Sequence, residues 1–337
     1  MSAYLDNAAT SWPKPETVYQ AVDHFMREVG ATPGRGGHRR EEKAARIADE
    51  ARAALAELFH APDPNGIAFT MNATQAINMA LKGLLKQGDH VITSSIEHNA
   101  VWRPLKALER RGVQVTAVPC ARDGSLDPAE VEAAIRPSTR LIAMLHASNV
   151  LGAILPVAEI GALARKHNLL FLVDAAQTAG AVPIDMQAMN IDLLAFPGHK
   201  GLFAPHGTGG LVVRPGLTLE TWIEGGSGTE SAPETMPEAL PLRLEAGTQN
   251  AAGIAGFLAG VRFVLEQGVE RIRAHEMELT ALLIEELCGV PGLTVLGPAD
   301  VSQRTAVVSV TVEGYVPDQL AMVLDEVFDI ATRAGLH

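Results

Sequence analysis

The side chain best placed for covalent chemistry is Lys200, which follows the apolar run DLLAF (residues 192–196) inside a Gly-His-Lys-Gly turn. An amine partly withdrawn from water has a lowered pKa and becomes a nucleophile towards an aldehyde carbon. A lysine in a loop is ordinarily a solvated charge, so Lys200 needs a second feature beside it. Asp174 supplies one, because it ends the most apolar run of the chain, LLFLVD (residues 169–174), where an unpaired carboxylate is unfavourable. Alone, Asp174 reads equally as a helix cap or as half of a buried ion pair. With a lysine one strand further on, it also reads as the partner of a protonated heterocyclic nitrogen, which lets a ring accept electrons from a substrate carbon.

Two further residues sit at comparable places. His98 follows HVITSS (residues 90–95) and could lie flat on a planar ring, although most single histidines cap helices or face water. Thr74 opens a helix after GIAFTM (residues 66–71), where backbone N–H groups and the helix dipole favour a phosphate. An ordinary N-terminal cap is the commoner explanation of such a threonine.

These residues need a scaffold, and the sequence describes one. GIAFTM, HVITSS, VQVTAV, RLIAML, LLFLVD, DLLAF and GGLVV alternate with amphipathic stretches such as residues 100–111, 128–135 and 157–167. The apolar runs are nearly continuous, as burial on both faces requires. They predict an α/β fold with a mostly parallel sheet wrapped by helices, and a site beyond the carboxyl ends of its strands. Residues 224–240, rich in Gly, Ser, Pro and Glu, read as a lid or a surface loop. Beyond them the rhythm changes to helices over residues 251–266 and 269–287, a strand over 306–312 and a helix over 317–327. This pattern predicts a large domain over residues 16–245 and a smaller α+β domain built from 1–15 and 246–337.

Composition removes several classes of function. A chain of 337 residues with formal charge −12 lacks the concentrated basic face that nucleic acid or an anionic membrane needs. The short basic run at residues 35–40 reads as a solvated loop. The most apolar stretch, residues 141–164, is interrupted by His146, Ser148, Asn149, Pro156 and Glu159 and predicts no membrane span. No export signal is visible at the amino end. Cys120 and Cys288 form neither a disulfide framework nor a metal-binding spacing, and both read as structural. No metal site is expected, and a reducing cytoplasm is. Neither a dinucleotide-binding glycine fingerprint nor a P-loop is present.

Taken in order, YLDNAAT (residues 4–10), RGGH (35–38), NATQAIN (72–78), EHNA (97–100), HASNVLG (146–152), VDAAQ (173–177), GHKG (198–201) and RLEAGTQN (243–250) form a longer pattern. It resembles the class V aminotransferase-fold enzymes, within them the cysteine desulfurase and selenocysteine lyase branch. The resemblance runs from Tyr4 to His337. It implies fold type I and pyridoxal 5'-phosphate (PLP), with Lys200 holding the cofactor as a Schiff base. By the same resemblance Asp174 would meet the ring nitrogen, Gln177 the ring hydroxyl and His98 the ring face, with His98 also moving protons. Asn149 would lie beside cofactor and substrate, Thr74 and His199 would hold the phosphate, and Thr248 would reach it from a neighbouring subunit. Arg333 would approach the substrate carboxylate. A homodimer, L-cysteine as substrate and a sulfur-accepting partner protein follow from the likeness.

Two departures stand out. Relatives carry Ser or Thr where this chain has Pro197, which offers neither hydroxyl nor N–H, so one phosphate contact is expected to be lost. In desulfurases the Arg-X-Gly-X-His motif, here Arg333 to His337, is followed at once by the sulfur-accepting cysteine. The small domain is therefore expected to be incomplete as written. Selenocysteine lyase, cysteine lyase, aminotransferase and a PLP-binding protein without turnover remain the alternatives.

Overall fold

The computed structural model describes residues 3–34, 37–228 and 233–335. Arg35 and Gly36 of the RGGH segment, part of the 224–240 loop, and His337 lie outside the described residues. In chain order the elements are β1 (Ala3–Tyr4), α1 (Glu16–His24), α2 (Arg39–Phe59), β2 (Ile67–Thr70), α3 (Ala73–Leu84), β3 (His90–Ser94), α4 (Asn99–Glu109), β4 (Gln114–Val118), α5 (Pro128–Ala133) and β5 (Thr139–Leu145). They continue with α6 (Val157–Lys166), β6 (Leu170–Asp174), β7 (Leu193–Pro197), β8 (Gly209–Val213), α7 (Ala251–Gln267), α8 (Val269–Cys288), β9 (Leu293–Leu296), β10 (Ser309–Val312), α9 (Pro317–Phe328) and β11 (Ile330–Ala331).

The central sheet has strand order β2-β8-β7-β6-β5-β3-β4. Strands β3 to β7 pair in parallel, whereas β8 is antiparallel to both β7 and β2. Six strands thus run one way and β8 alone runs against them. The mostly parallel sheet expected from the continuous apolar runs is present.

Both faces of the sheet are apolar because successive side chains point to opposite sides. Ile142, Met144, Phe171, Val173, Leu194 and Phe196 join one core with α2, α6 and α7. Leu141, Ala143, Leu172, Leu193 and Ala195 join the other with α3 and α4. The inner strands are therefore buried twice over, which is what erases polar alternation from their sequences, whereas the edge strand β4 leaves Gln114 exposed and Val115 to Ala117 half-buried.

Helix α2 shows how local signals fix an element. His38 accepts the Glu41 N–H at its amino end, Glu41 and Glu42 sit in its first turn, and Ala44, Ala48, Ala51 and Leu55 form a buried stripe. Helix α7 carries Ile254, Phe257, Leu258 and Val261 into the core shared with α2.

Beyond α7, β9 and β10 form an antiparallel pair. Strand β10 begins at Ser309, three residues later than the expected strand at 306–312. The reason is that Arg304 Nη2 donates to the Val307 carbonyl at 2.8 Å and the Thr305 N–H to that of Gly152 at 2.9 Å, drawing this stretch out of the sheet. No single helix among the described residues is long and apolar enough to cross a membrane.

Candidate active site

The carboxyl ends of the strands converge on a cavity of about 230 Å³. Its lining includes Asp174 at the end of β6, Leu145 at the end of β5 and Pro197 at the end of β7. Of the residues singled out from sequence, Thr74, His98, Asn149 and Gln177 line it together with Asp174, His199 and Lys200. Two of the singled-out residues stand apart. Thr248 is exposed and does not line the cavity, while Arg333 is bound to Asp6.

Asp174 is 3% exposed. Burial pushes its carboxyl up to about 6, against the opposing pull of the Ala176 N–H, which donates to Oδ1 at 2.9 Å, and of the Lys200 charge. Lys200 is also largely withdrawn from water, and burial lowers its pKa although Asp174 acts the other way. An amine and a carboxyl whose buried forms both lean towards neutrality thus face one cavity.

His199 adds an orphaned atom, since its buried Nδ1 has no hydrogen-bond partner. Its pKa falls to about 4 through burial and the neighbouring charges of Lys200, His206 and Lys14. The His199 carbonyl is by contrast crowded with donors. It accepts from Thr10 Oγ1 at 3.0 Å, from the Ser11 N–H and Oγ at 3.1 Å, and from Lys14 Nζ at 3.3 Å. Gly201 completes the turn, where a Cβ would come within 2.6 Å of the Ala179 carbonyl oxygen; only glycine allows the two backbones to approach so closely.

The other lining residues owe their places to helix ends. Asn72, not Thr74, caps α3: its side chain accepts the Gln75 N–H at 2.9 Å, and Thr74 is left exposed in the first turn. His98 caps α4 by accepting the Ala100 N–H on Nδ1 at 3.0 Å, so its neutral ring carries the proton on Nε2. Burial, then Lys200 and Arg103, lower its pKa. Gln177 Nε2 donates to the Ala8 carbonyl at 3.1 Å, and Asn149 is buried.

Glu97 went unassigned in the sequence, although an acid at a strand end was the same signal that marked Asp174. Its carboxyl is enclosed and accepts Ser94 Oγ at 2.6 Å and the Leu145 N–H at 3.0 Å, joining the ends of β3 and β5. Burial pushes it to about 8, helped by the charge of Asp174. Lys14, Ser11 and Asp6 left no comparable signal, because each meets its partner across most of the chain. Among the described residues, no group of His, Cys, Asp and Glu is arranged to hold a metal.

The family model for aminotransferase class V matches residues 3–337. The chain belongs to the class V aminotransferase family. Within it, the chain is 35% identical to a probable cysteine desulfurase of Methanothermobacter thermautotrophicus and 34% identical to a cysteine desulfurase of Salmonella agona, in each case over 99% of this chain and 84% of the relative. Its fold superposes on the apo structure of a cysteine desulfurase from Thermococcus onnurineus NA1 with a TM-score of 0.92 at 33% identity. On the cysteine desulfurase CsdA of Escherichia coli the TM-score is 0.89 at 28% identity; both matches cover 99% of this chain and 84% of the other. The family depends on PLP, and this chain is a PLP enzyme of fold type I.

The cavity fits that cofactor on its own terms. The unpartnered Nδ1 of His199 and the amino end of α3, with Thr74 in its first turn, form an end suited to a phosphate. Asp174 lies on the wall as an acid whose burial is relieved by a cationic partner. Pro197 lines the same cavity and brings no hydroxyl to it.

Proposed function

We propose that this protein is a cysteine desulfurase, converting L-cysteine to L-alanine with transfer of the sulfur to a thiol. The observation that carries this reading is the convergence of Lys200 and Asp174, from the ends of neighbouring strands, on one cavity; the cysteine desulfurases related over nearly the whole chain supply the substrate.

Bound PLP would supply an electron sink for the pair released when the substrate Cα–H bond breaks. Lys200 would hold the cofactor through Nζ, and its lowered pKa leaves that nitrogen a lone pair for bonding and for taking up a proton. Asp174 would keep the ring nitrogen protonated. His98 would cover the ring and present its Nε2 proton, with Nδ1 held by Ala100. Gln177 and Asn149 would orient the ring oxygen and the substrate, and His199 with Thr74 would hold the phosphate.

Sulfur transfer needs a thiolate that bonds to the substrate sulfur while the Cβ–S electron pair passes to carbon, which then takes a proton. Neither Cys120 nor Cys288 lines the cavity, and burial pushes the Cys120 thiol up. This reading therefore requires an acceptor thiol other than these two, from which the sulfur passes to a partner protein. The exposed position of Thr248, outside its own cavity, supports a homodimer in which it serves the neighbouring site. Chemistry through free thiols suits sulfur metabolism in a reducing cytoplasm.

The test is to supply the PLP-loaded protein, with a reductant, separately with L-cysteine and L-selenocysteine and to quantify alanine, sulfide and selenide. Alanine and sulfide from cysteine in equal amounts are expected. Alanine from selenocysteine alone, or a keto acid in place of alanine, would reject the desulfurase reading.

A further inference from the structure

Strand β1 pairs in parallel with β11, with Tyr4 opposite Ala331. Counting two residues onward along both strands brings Asp6 level with Arg333, and the side chains meet there. Asp6 Oδ1 accepts from Arg333 Nε at 2.9 Å and Oδ2 from Nη2 at 2.7 Å. This two-point geometry is the one a guanidinium uses to recognise a free carboxylate. Neither residue lines the cavity, but the pair lies beside it: Ala9, three residues beyond Asp6, is part of the lining, and Thr10 and Ser11 bond to the His199 carbonyl next to Lys200.

We propose that Asp6 is a specificity-determining residue: it is the resting counter-ion of Arg333, and a substrate carboxylate binds by taking its place. The inference rests on the reading of Arg333 as the carboxylate-binding residue. The Nε–Nη2 edge accommodates one carboxylate, so a substrate carboxylate that approaches this edge competes with Asp6 for it. Neither side chain is locked in: the arginine side chain is 47% exposed and that of Asp6 18%, so exchange requires no unfolding. The competition also filters ligands. An amine without a carboxylate gains nothing from displacing Asp6, whereas an amino acid exchanges one ion pair for another.

The test uses the PLP-loaded enzyme and follows the cofactor absorbance on titration with L-alanine and, in parallel, with ethylamine, which lacks the carboxylate. Asp6→Asn is expected to tighten L-alanine binding by about fivefold, the upper range for an ion pair open to solvent, and to leave ethylamine binding unchanged. Arg333→Gln should weaken L-alanine binding and abolish the effect of Asp6→Asn in the double variant. Unchanged or weaker L-alanine binding in Asp6→Asn, with Arg333→Gln still weakening it, overturns the exchange and leaves the role of Arg333 intact. No effect of Arg333→Gln on L-alanine overturns both. Asp6→Ser gives the same readout should Asp6→Asn unfold, as judged by its melting temperature.

Discussion

Asp174 and Lys200 illustrate how burial prepares a side chain for work that water would prevent. The carboxyl at about 6 and the depressed amine share one cause, removal from solvent, and each is relieved by a partner of the right charge. Lys200→Ala is accordingly expected to lose all borohydride-fixed cofactor, read as the mass of the reduced protein; a PLP adduct retained in that variant would contradict the assignment. Asp174→Asn should lower turnover on the order of a hundredfold while its melting temperature stays level or rises, because a neutral amide is easier to bury than a carboxylate. A fall in stability that accounts for the lost activity would count against ring-nitrogen pairing.

At the scale of elements, the segment between β1 and α1 is fastened to the lysine turn through one carbonyl, that of His199. Because several donors share it, loss of one is cushioned by the others. Ser11→Ala and Lys14→Met are each expected to cost about 1 kcal/mol or less in denaturant unfolding. The double variant should lose more than their sum, and should also release PLP faster in dialysis. Additive losses with unaltered cofactor retention would show that the clamp does not position Lys200.

The same segment shows what sequence conveys and what it withholds. Strands β5, β6 and β7 are legible because burial on two faces leaves an unbroken apolar run, and Asp174 is legible because it interrupts one. Strands β1 and β11, two residues each, are too short to show any period. The contacts of Lys14 with His199 and of Asp6 with Arg333 link residues 185 and 327 positions apart, a separation that no local pattern encodes. Thr74 reads as a helix opener, yet Asn72 does the capping, since either residue satisfies the same rule. Glu97 carries a readable signal, an acid at a strand end, but its partners Ser94 and Leu145 come from two different strands.

For the molecule as a whole, buried titratable groups give stability a pH profile. His146 and His199, both lowered to about 4, bind fewer protons folded than unfolded, so they favour the fold increasingly as pH rises from about 4 to 6.5. Glu97, raised to about 8, and Glu276, raised to about 7, hold protons in the fold that the unfolded chain has already released, and so weaken it as pH climbs from about 4.5 towards those values. The opposing trends offset each other below pH 6.5. Of these four groups only the acids act above it, where the histidines are neutral in both states. The cofactor-free protein should therefore lose melting temperature between pH 6.5 and 8, and Glu97→Gln should flatten that decline. A slope unaltered in the variant would place the proton elsewhere.

One connection carries a practical corollary. The residues from Ala3 to Lys14 hydrogen-bond to β11 at one end and to the peptide beside Lys200 at the other. Trimming them, or tethering the amino end to a rigid fusion, will therefore register first as altered colour of the holoprotein, before any helix signal in circular dichroism is lost.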